Sequence, residues 1–260
     1  MRRLLPLLLV AACTSTGTAA APSPTPSPTR TPVVTTAPPS PAPKPVPTTG
    51  ADGCRIRRPL PRGSVVSVIG DSYTTGEPGK GGVGAKGWPA ILARRTGWTV
   101  YKDAMGASGY LSKGFTGKAY DGPIYLDQTK KLAAQKPDLV IVFGSANDLR
   151  HTEPPYFVDY VRRTLQAVRR EAPQAYVVVA TSFWYDDQPP DEMLYIGQVE
   201  KAEVKRLGCA VFLDPIAEKW FGDAYRYLFY PHNDHPTDAG HLRLADLWQR
   251  DLQRLGLARR

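Results

Sequence analysis

Five short apolar runs alternate with helix-like segments through most of this 260-residue chain. Several of the runs are nearly continuous Val and Ile, which is typical of strands buried on both faces of a parallel sheet. This alternation predicts a three-layer α/β/α fold in which helices cover both faces of a five-stranded parallel sheet. The runs are SVVSVIG (64–70), WTVYKDA (98–104), DLVIVFG (138–144), AYVVVATSF (175–183) and CAVFLDP (209–215).

Two amphipathic segments predict long helices. Segment 154–173 places apolar residues at helical spacing, with arginines on the opposite face and prolines at both ends. Its apolar stripe is therefore expected to belong to the core. Segment 236–258 begins with Pro236 and Thr237 and continues an amphipathic pattern through Leu255. It is expected to be a terminal helix that packs on the sheet.

The amino terminus has the pattern of an export signal. Two arginines precede an apolar stretch at 4–12, which is far shorter than the roughly 20 residues of a membrane-spanning helix. The end of this stretch and the next residue, Val10-Ala11-Ala12-Cys13, resemble a bacterial lipobox. Residues 1–12 are therefore predicted to be a lipoprotein signal peptide, and Cys13 the lipidated residue that anchors the chain to a membrane. The alternative is cleavage near 19–21, which would give a secreted protein.

Residues 13–52 are mostly Pro, Thr, Ser and Ala, with almost no large apolar side chain. Such a segment cannot form a core, and its prolines favour extended polyproline II. We expect a disordered, semi-rigid linker that holds the following domain away from a surface. Residues 53–260 have the composition of an ordinary globular domain, and one catalytic-size domain is the simplest interpretation.

The chain carries a net charge of +9 at pH 7. Its basic residues are scattered and are not clustered with interleaved aromatics, so nucleic-acid binding is not predicted. The expected location is the outer face of the cytoplasmic membrane or the cell wall. We expect a monomer.

Two cysteines, Cys54 and Cys209, remain in the domain, and an exported protein folds where disulfides persist. A disulfide between them is one interpretation. Two unrelated buried thiols are the other, and neither residue shows a metal or catalytic pattern.

Ligands of open α/β sheets bind beyond the carboxyl ends of the strands, so the residues after each apolar run are the candidates for a site. Asp71 and Ser72 follow the first run, Gly106 the second, and Asn147 the third. The stretch YPHNDHPTDAGH, which follows the fifth run, contains three of the four histidines. A serine, a glycine, an amide and an imidazole are thus expected at one sheet edge.

These residue types are the parts that acyl transfer needs. A serine hydroxyl becomes a useful nucleophile when an imidazole takes its proton, and the developing oxyanion needs donors fixed in advance. Backbone N–H groups and a side-chain amide can supply those donors.

Structural interpretations exist for each residue taken alone. Ser72 can be a helix N-cap, Asn147 a turn residue and Gly106 a tight-turn glycine. The histidines His232, His235 and His241 can be zinc ligands, but the chain has no HEXXH motif, and no metal or cofactor is predicted. Neither Gly-x-Ser-x-Gly nor a phosphate-binding loop motif occurs.

The ordered set GDSYTTG, DAMGASGY, FGSANDL and HPTDAGH resembles the four motif blocks of the SGNH hydrolases, also called GDSL-like esterases and lipases. The resemblance covers the whole domain and implies a flavodoxin-like core. It also implies that Ser72 is the nucleophile and His235 the general base. The implied oxyanion hole consists of the Ser72 and Gly106 N–H groups and the Asn147 amide.

Two positions depart from the family pattern. Ser145 stands where the third block usually has a glycine, and this departure is expected to affect the local turn but not the Asn147 amide. His232 stands three residues before His235, where the family usually has the acid that orients the imidazole. Either Asp234 takes this role through a shifted loop, or a backbone carbonyl holds the ring and leaves a Ser–His dyad.

The sequence therefore predicts an exported serine esterase that acts on small-acyl esters. O-acetylated envelope carbohydrate is the favoured substrate, because the linker would hold the domain outside the membrane. An O-acyltransferase with the same site, or a catalytically weak glycan-binding module, are the alternatives.

Overall fold

The computed structural model describes residues 48–49, 55–56, 58–79, 81–184, 186, 188–222, 225–230 and 235–260. The chain divides into two units, Met1–Pro43 and Lys44–Arg260, and every described residue belongs to the second. The predicted signal peptide, Cys13 and most of the predicted linker lie outside the described residues.

The main sheet has five parallel strands in the order β4-β3-β5-β6-β7, which confirms the predicted fold class. A separate antiparallel pair, β1 and β2, precedes it. The strands are β1 (Thr48–Thr49), β2 (Arg55–Ile56), β3 (Val65–Gly70), β4 (Thr99–Ala104), β5 (Leu139–Gly144), β6 (Tyr176–Thr181) and β7 (Ala210–Leu213).

The strand order places a topological switch point at β3, which pairs with β4 on one side and with β5 on the other. The chain leaves β3 for β4 and then returns across β3 to form β5. A crevice opens at such a point beyond the carboxyl ends of the strands. Ser72 is the second residue after β3, so the strand order places this residue at the crevice.

Helices occupy both faces of the sheet, and both predicted long helices are present as α5 and α8. Within the part of the chain that the structure covers, no helix is long and apolar enough to cross a membrane. The helices are α1 (Ser72–Thr75), α2 (Trp88–Thr96), α3 (Tyr125–Gln128), α4 (Leu132–Gln135), α5 (Tyr156–Glu171), α6 (Asp191–Leu207), α7 (Tyr225–Leu228) and α8 (Asp238–Arg254).

The core forms two layers because side chains of a strand alternate between the two faces of a sheet. Along β5, Ile141 and Phe143 face the layer of α2 and α8, whereas Val142 faces the layer of α5 and α6. The first layer contains Trp88 and Trp248, whose rings stack with centroids 5.2 Å apart. Burial on both faces accounts for the continuous Val and Ile of the strands.

Cys209 immediately precedes β7 and is disulfide-bonded. Its predicted partner, Cys54, lies outside the described residues.

A carboxyl group is buried in the second layer at Glu200 of α6, which is 1% exposed. The Tyr110 hydroxyl donates a hydrogen bond of 3.0 Å to one of its oxygens. Burial raises the pKa of Glu200 from 4.5 to about 8, because a charged carboxylate loses hydration there. The folded protein therefore holds a proton on Glu200 at pH 7, whereas the unfolded chain releases it.

This difference predicts that Glu200 lowers stability as pH rises. The pKa of Glu200 is higher in the folded state, so its stabilising contribution is complete below about pH 4.5 and is lost as pH rises toward about 8. Glu200→Gln cannot ionise and still offers an oxygen to Tyr110. The melting temperature of Glu200→Gln, relative to that of the wild type, should rise between pH 5 and pH 8, as measured by thermal denaturation. Glu192→Gln, an exposed residue of the same helix, is the control, and a constant difference for Glu200→Gln would contradict the prediction.

Candidate active site

Ser72 is the first residue of α1, directly after the sharp corner at which β3 ends. The corner requires glycine at position 70, since a Cβ there would collide with the Thr74 hydroxyl and the Phe143 carbonyl oxygen. Asp71 is the N-cap of α1, and its carboxylate accepts a hydrogen bond of 2.9 Å from the Tyr73 N–H. The side chain of Ser72 is thereby presented at the sheet edge.

Asp71 also joins this corner to the end of β5. Its second oxygen accepts hydrogen bonds from the Tyr125 hydroxyl at 3.2 Å and from the Ser145 N–H at 3.3 Å. Burial raises the pKa of Asp71 to about 7, while these hydrogen bonds act in the opposite direction. The buried Asp71 side chain therefore fixes the backbone that carries Ser72.

His235 lies beside Ser72, with 2.9 Å between its Nε2 and the serine Oγ. The Tyr230 N–H donates to the carbonyl oxygen of His235, and the imidazole contacts the ring of Tyr73 edge-on. Thr237, two residues later, caps α8 by accepting from the Gly240 N–H. The distance of 2.9 Å is within the reach that proton transfer requires.

The two other predicted oxyanion-hole residues come from neighbouring strand ends. Gly106 follows β4, and a Cβ on it would lie 3.9 Å from the Cβ of Ser72. Asn147 lies in the short 3-10 helix Ala146–Arg150 after β5, and its amide nitrogen donates to the Ser108 carbonyl oxygen at 3.0 Å. An amide nitrogen has two hydrogens, so one hydrogen of Asn147 remains for a substrate oxygen.

Asp148 holds these two loops together. Its carboxylate is completely buried and accepts hydrogen bonds from three successive backbone N–H groups of the loop that follows β4. The donors are Tyr110 at 2.6 Å, Leu111 at 3.1 Å and Ser112 at 2.8 Å. The loop that carries Gly106 is therefore fixed to the turn that carries Asn147.

Ser145 replaces the usual glycine and adopts a glycine-like conformation, with φ of 83°. Its hydroxyl donates to the Asp148 carboxylate at 3.2 Å, and its N–H donates to the Tyr125 hydroxyl at 3.0 Å. These hydrogen bonds offset a left-handed backbone that costs about 1–3 kcal/mol in a residue with a side chain. The substitution thus preserves the turn.

Glu77 is a site residue that the sequence did not indicate. Its Oε2 lies 2.9 Å from Nε2 of His235. Backbone hydrogen bonds in both directions between Glu77 and Gly81 form a tight hairpin that positions the carboxylate. No spacing pattern predicts this contact, because it depends on how the hairpin folds back toward the start of α8.

The imidazole nitrogen Nε2 therefore has two neighbours, Ser72 Oγ and Glu77 Oε2. In a neutral ring, a proton on Nε2 points to the carboxylate and prevents this nitrogen from accepting the serine proton. A proton on Nδ1 leaves Nε2 free to act as a base. Taken alone, the Glu77 carboxylate favours the tautomer that is unsuited to proton abstraction. A triad acid, in contrast, hydrogen-bonds Nδ1.

Asp234 and His232 lie outside the described residues. The two interpretations of the orienting group, Asp234 or a Ser–His dyad, therefore both stay predictions.

Glu77→Gln should not lower esterase activity, because the substitution removes a carboxylate that competes with Ser72 for Nε2 of His235. We expect kcat/KM for p-nitrophenyl acetate to be between unchanged and about tenfold higher, the range of one charge-assisted hydrogen bond. Glu153→Gln, an exposed carboxylate in another loop, is the matched control. A fall of 100-fold or more would instead make Glu77 the essential acid.

The environment of His241 is that of a buried residue with a packing role. His241 lies in the first turn of α8 and is 1% exposed. Burial lowers the pKa of His241 to about 4, so the ring is neutral at pH 7. Its ring packs on Gly82 so closely that a Cβ at that glycine would collide with Nε2. Among the residues described, no group of three or more His, Cys, Asp or Glu is placed to hold a metal ion.

The chain belongs to the GDSL-like lipase/acylhydrolase family, whose model matches residues 68–243. This match includes Ser72, Gly106, Asn147 and His235. The protein is accordingly an ester hydrolase, as the sequence predicts.

One curated relative and two solved structures illustrate the similarity. The GDSL lipase Rv0518 of Mycobacterium tuberculosis is 39% identical over 209 residues, covering 76% of this chain and 87% of that protein. A family two carbohydrate esterase from Clostridium thermocellum, in complex with cellohexaose, matches with a TM-score of 0.57 and 19% identity. The match covers 76% of this chain, which spans only 66% of that esterase's length.

An acetylxylan esterase from Geobacillus stearothermophilus matches with a TM-score of 0.53 and 19% identity. This match covers 78% of this chain and the whole of that enzyme. At these identities the two solved structures establish the shared fold.

Proposed function

We propose that the protein is a serine esterase that cleaves small-acyl esters, with Ser72 as the nucleophile and His235 as the base. The observation that carries the proposal is the distance of 2.9 Å between Ser72 Oγ and His235 Nε2. A hydrogen-bonded serine and imidazole at a sheet edge, next to backbone and amide donors, is the arrangement that acyl transfer requires.

The reaction begins when the Ser72 hydroxyl attacks the ester carbonyl and its proton passes to Nε2 of His235. The resulting oxyanion accepts hydrogen bonds from the Ser72 and Gly106 N–H groups and from the Asn147 amide. His235 then gives the proton to the leaving alcohol, and the acyl group stays on Ser72. Water, deprotonated by His235, releases the acid and restores the serine.

O-acetylated carbohydrate of the cell envelope is the proposed substrate. The predicted linker at 13–52 would place the domain within reach of wall polymers. Two enzymes of similar fold are described as a carbohydrate esterase and an acetylxylan esterase, which is consistent with this substrate class.

The active-site proposal is tested with p-nitrophenyl acetate and p-nitrophenyl octanoate. Ser72→Ala should reduce kcat by about 10⁴-fold or more, because the nucleophile is lost while the fold is retained. The control is Ser64→Ala, which precedes β3 at the opposite end of the same strand. Faster turnover of acetate than of octanoate supports a small-acyl preference. Equal activity of Ser72→Ala and wild type would refute the proposed nucleophile.

We also propose that the protein is an exported lipoprotein, anchored through Cys13 on the outer face of the cytoplasmic membrane. The support is the lipobox-like Val-Ala-Ala-Cys at the end of a short apolar stretch. Expression in a bacterial host should place the wild type in the membrane fraction and Cys13→Ser outside it. Labelling with radioactive palmitate checks the modification directly. Equal distribution and no label on the wild type would favour a secreted protein.

A further inference from the structure

A cavity of about 720 Å³ opens beside the proposed oxyanion hole. Two of its lining residues adjoin or belong to that hole, since Ala107 follows Gly106 and Asn147 supplies the amide. The rest of the wall comes from the loop after β4 and from the turn after β5.

The wall of this cavity is basic. Lys113, Arg150 and His151 line it, and none of its described lining residues is Asp or Glu. None of the three forms an ion pair with a described residue, whereas Arg162, for example, pairs with Glu203 on another surface. Unpaired basic residues occur elsewhere too, but these three converge on a single cavity.

Carboxylates near this wall offset only part of its positive charge. Asp148 belongs to the same turn as Arg150 and is fully buried, with its oxygens occupied by backbone N–H donors, so it offsets one of the two full positive charges of Lys113 and Arg150. Asp121 follows Tyr120 in the chain and accepts a hydrogen bond of 2.9 Å from the Thr116 hydroxyl. Glu153 is two residues beyond His151 and does not line the cavity. A ligand in the cavity therefore meets an excess of positive charge.

An aromatic surface forms another part of the wall. Tyr120 is 69% exposed, and its ring centroid lies 5.1 Å from that of Phe115, which is also exposed. The Phe115 N–H donates to the Gly106 carbonyl oxygen at 2.8 Å, so this aromatic pair is fixed relative to the oxyanion hole. Exposed rings of this kind present a flat apolar face, on which the C–H face of a sugar ring can pack.

We infer that this cavity binds the alcohol portion of the ester and selects alcohols that carry an anionic group, a carboxylate or a phosphate, on a sugar ring. The inference rests on the proposed function and narrows its substrate class. The sugar ring packs on Tyr120, and the anion lies between Lys113 and Arg150. Arg recognises carboxylate and phosphate through paired N–H donors, and Lys adds a point charge.

The cavity fits the alcohol portion and not the acyl group, because its volume is that of a small-molecule site and far exceeds an acetyl group. The exposed positions of Lys113 and Arg150 also suit an entering polymer chain, whose charged rings extend toward solvent.

Three acetylated methyl glycosides of one sugar test the inference. They differ only at carbon 6, which carries a neutral hydroxyl in the glucoside, a carboxylate in the glucuronoside or a phosphate in the 6-phosphate. Release of acetate gives kcat/KM for each. We expect at least one anionic substrate to exceed the neutral one by about tenfold, an advantage that decreases with added salt. The two anionic arms show whether carboxylate or phosphate is preferred.

Substitutions of the two basic residues test whether they cause the preference for anionic substrates. Arg150→Gln and Lys113→Gln should each reduce the ratio of anionic to neutral kcat/KM several-fold, and the double variant should abolish the preference. Lys205→Gln is the matched control and should leave the ratio unchanged, because this exposed lysine lies in the last turn of α6, at the opposite sheet edge.

Two results would overturn the inference. One is an equal kcat/KM of the wild type for neutral and anionic substrates, and the other is a preference that survives in the double variant. Hydrolysis of p-nitrophenyl acetate that depends on Ser72 is measured alongside. If it persists while the preference is absent, the anion site is wrong and the esterase proposal stands. If it is absent as well, the proposed function fails.

Discussion

The buried Asp148 carboxylate is the interaction on which the rest of the site depends. It accepts three successive backbone N–H groups from the loop after β4 and belongs itself to the turn after β5. A carboxylate without water remains favourable only when its oxygens are satisfied in this way, because an unsatisfied buried charge is very costly. The same hydrogen bonds set the spacing between Gly106 and Asn147. The proposed oxyanion hole therefore has its geometry before any substrate arrives, which is what makes such donors effective.

Much of this arrangement follows from the sequence, because parallel strands end at one edge of the sheet. Ser72, Gly106 and Asn147 each follow an apolar run, and the switch-point rule places them together without any knowledge of the loops. The turn at Ser145 illustrates the limit of such reasoning. The absence of a glycine indicates an altered turn, but the turn is retained, because the hydroxyl reaches Asp148. That compensation depends on a tertiary contact and not on local propensity.

The sequence analysis predicted neither Glu77 nor the basic cavity, and the physical reason is the same for both. The hairpin that presents Glu77 is positioned by contacts with a segment from the far end of the chain, including a hydrogen bond of 3.0 Å from the Gly82 N–H to Asp238. The cavity wall likewise combines Lys113 with Arg150, which come from different strand ends. Side chains that meet only through loop folding leave no periodic pattern in the sequence. A search restricted to motif residues therefore finds the proposed nucleophile and base but not the charged side chains around them.

The order of the chain has a consequence for when activity can arise. Ser72 lies near the start of the folded domain, whereas His235 and α8 lie near its end, and α8 packs against α2 through Trp88 and Trp248. The Leu60 N–H also donates to the Leu257 carbonyl oxygen at 2.8 Å, which joins the first and last parts of the domain. The proposed Ser72–His235 pair therefore forms only after almost the whole domain has been synthesised, and a nascent or carboxy-terminally truncated chain carries the serine without its base.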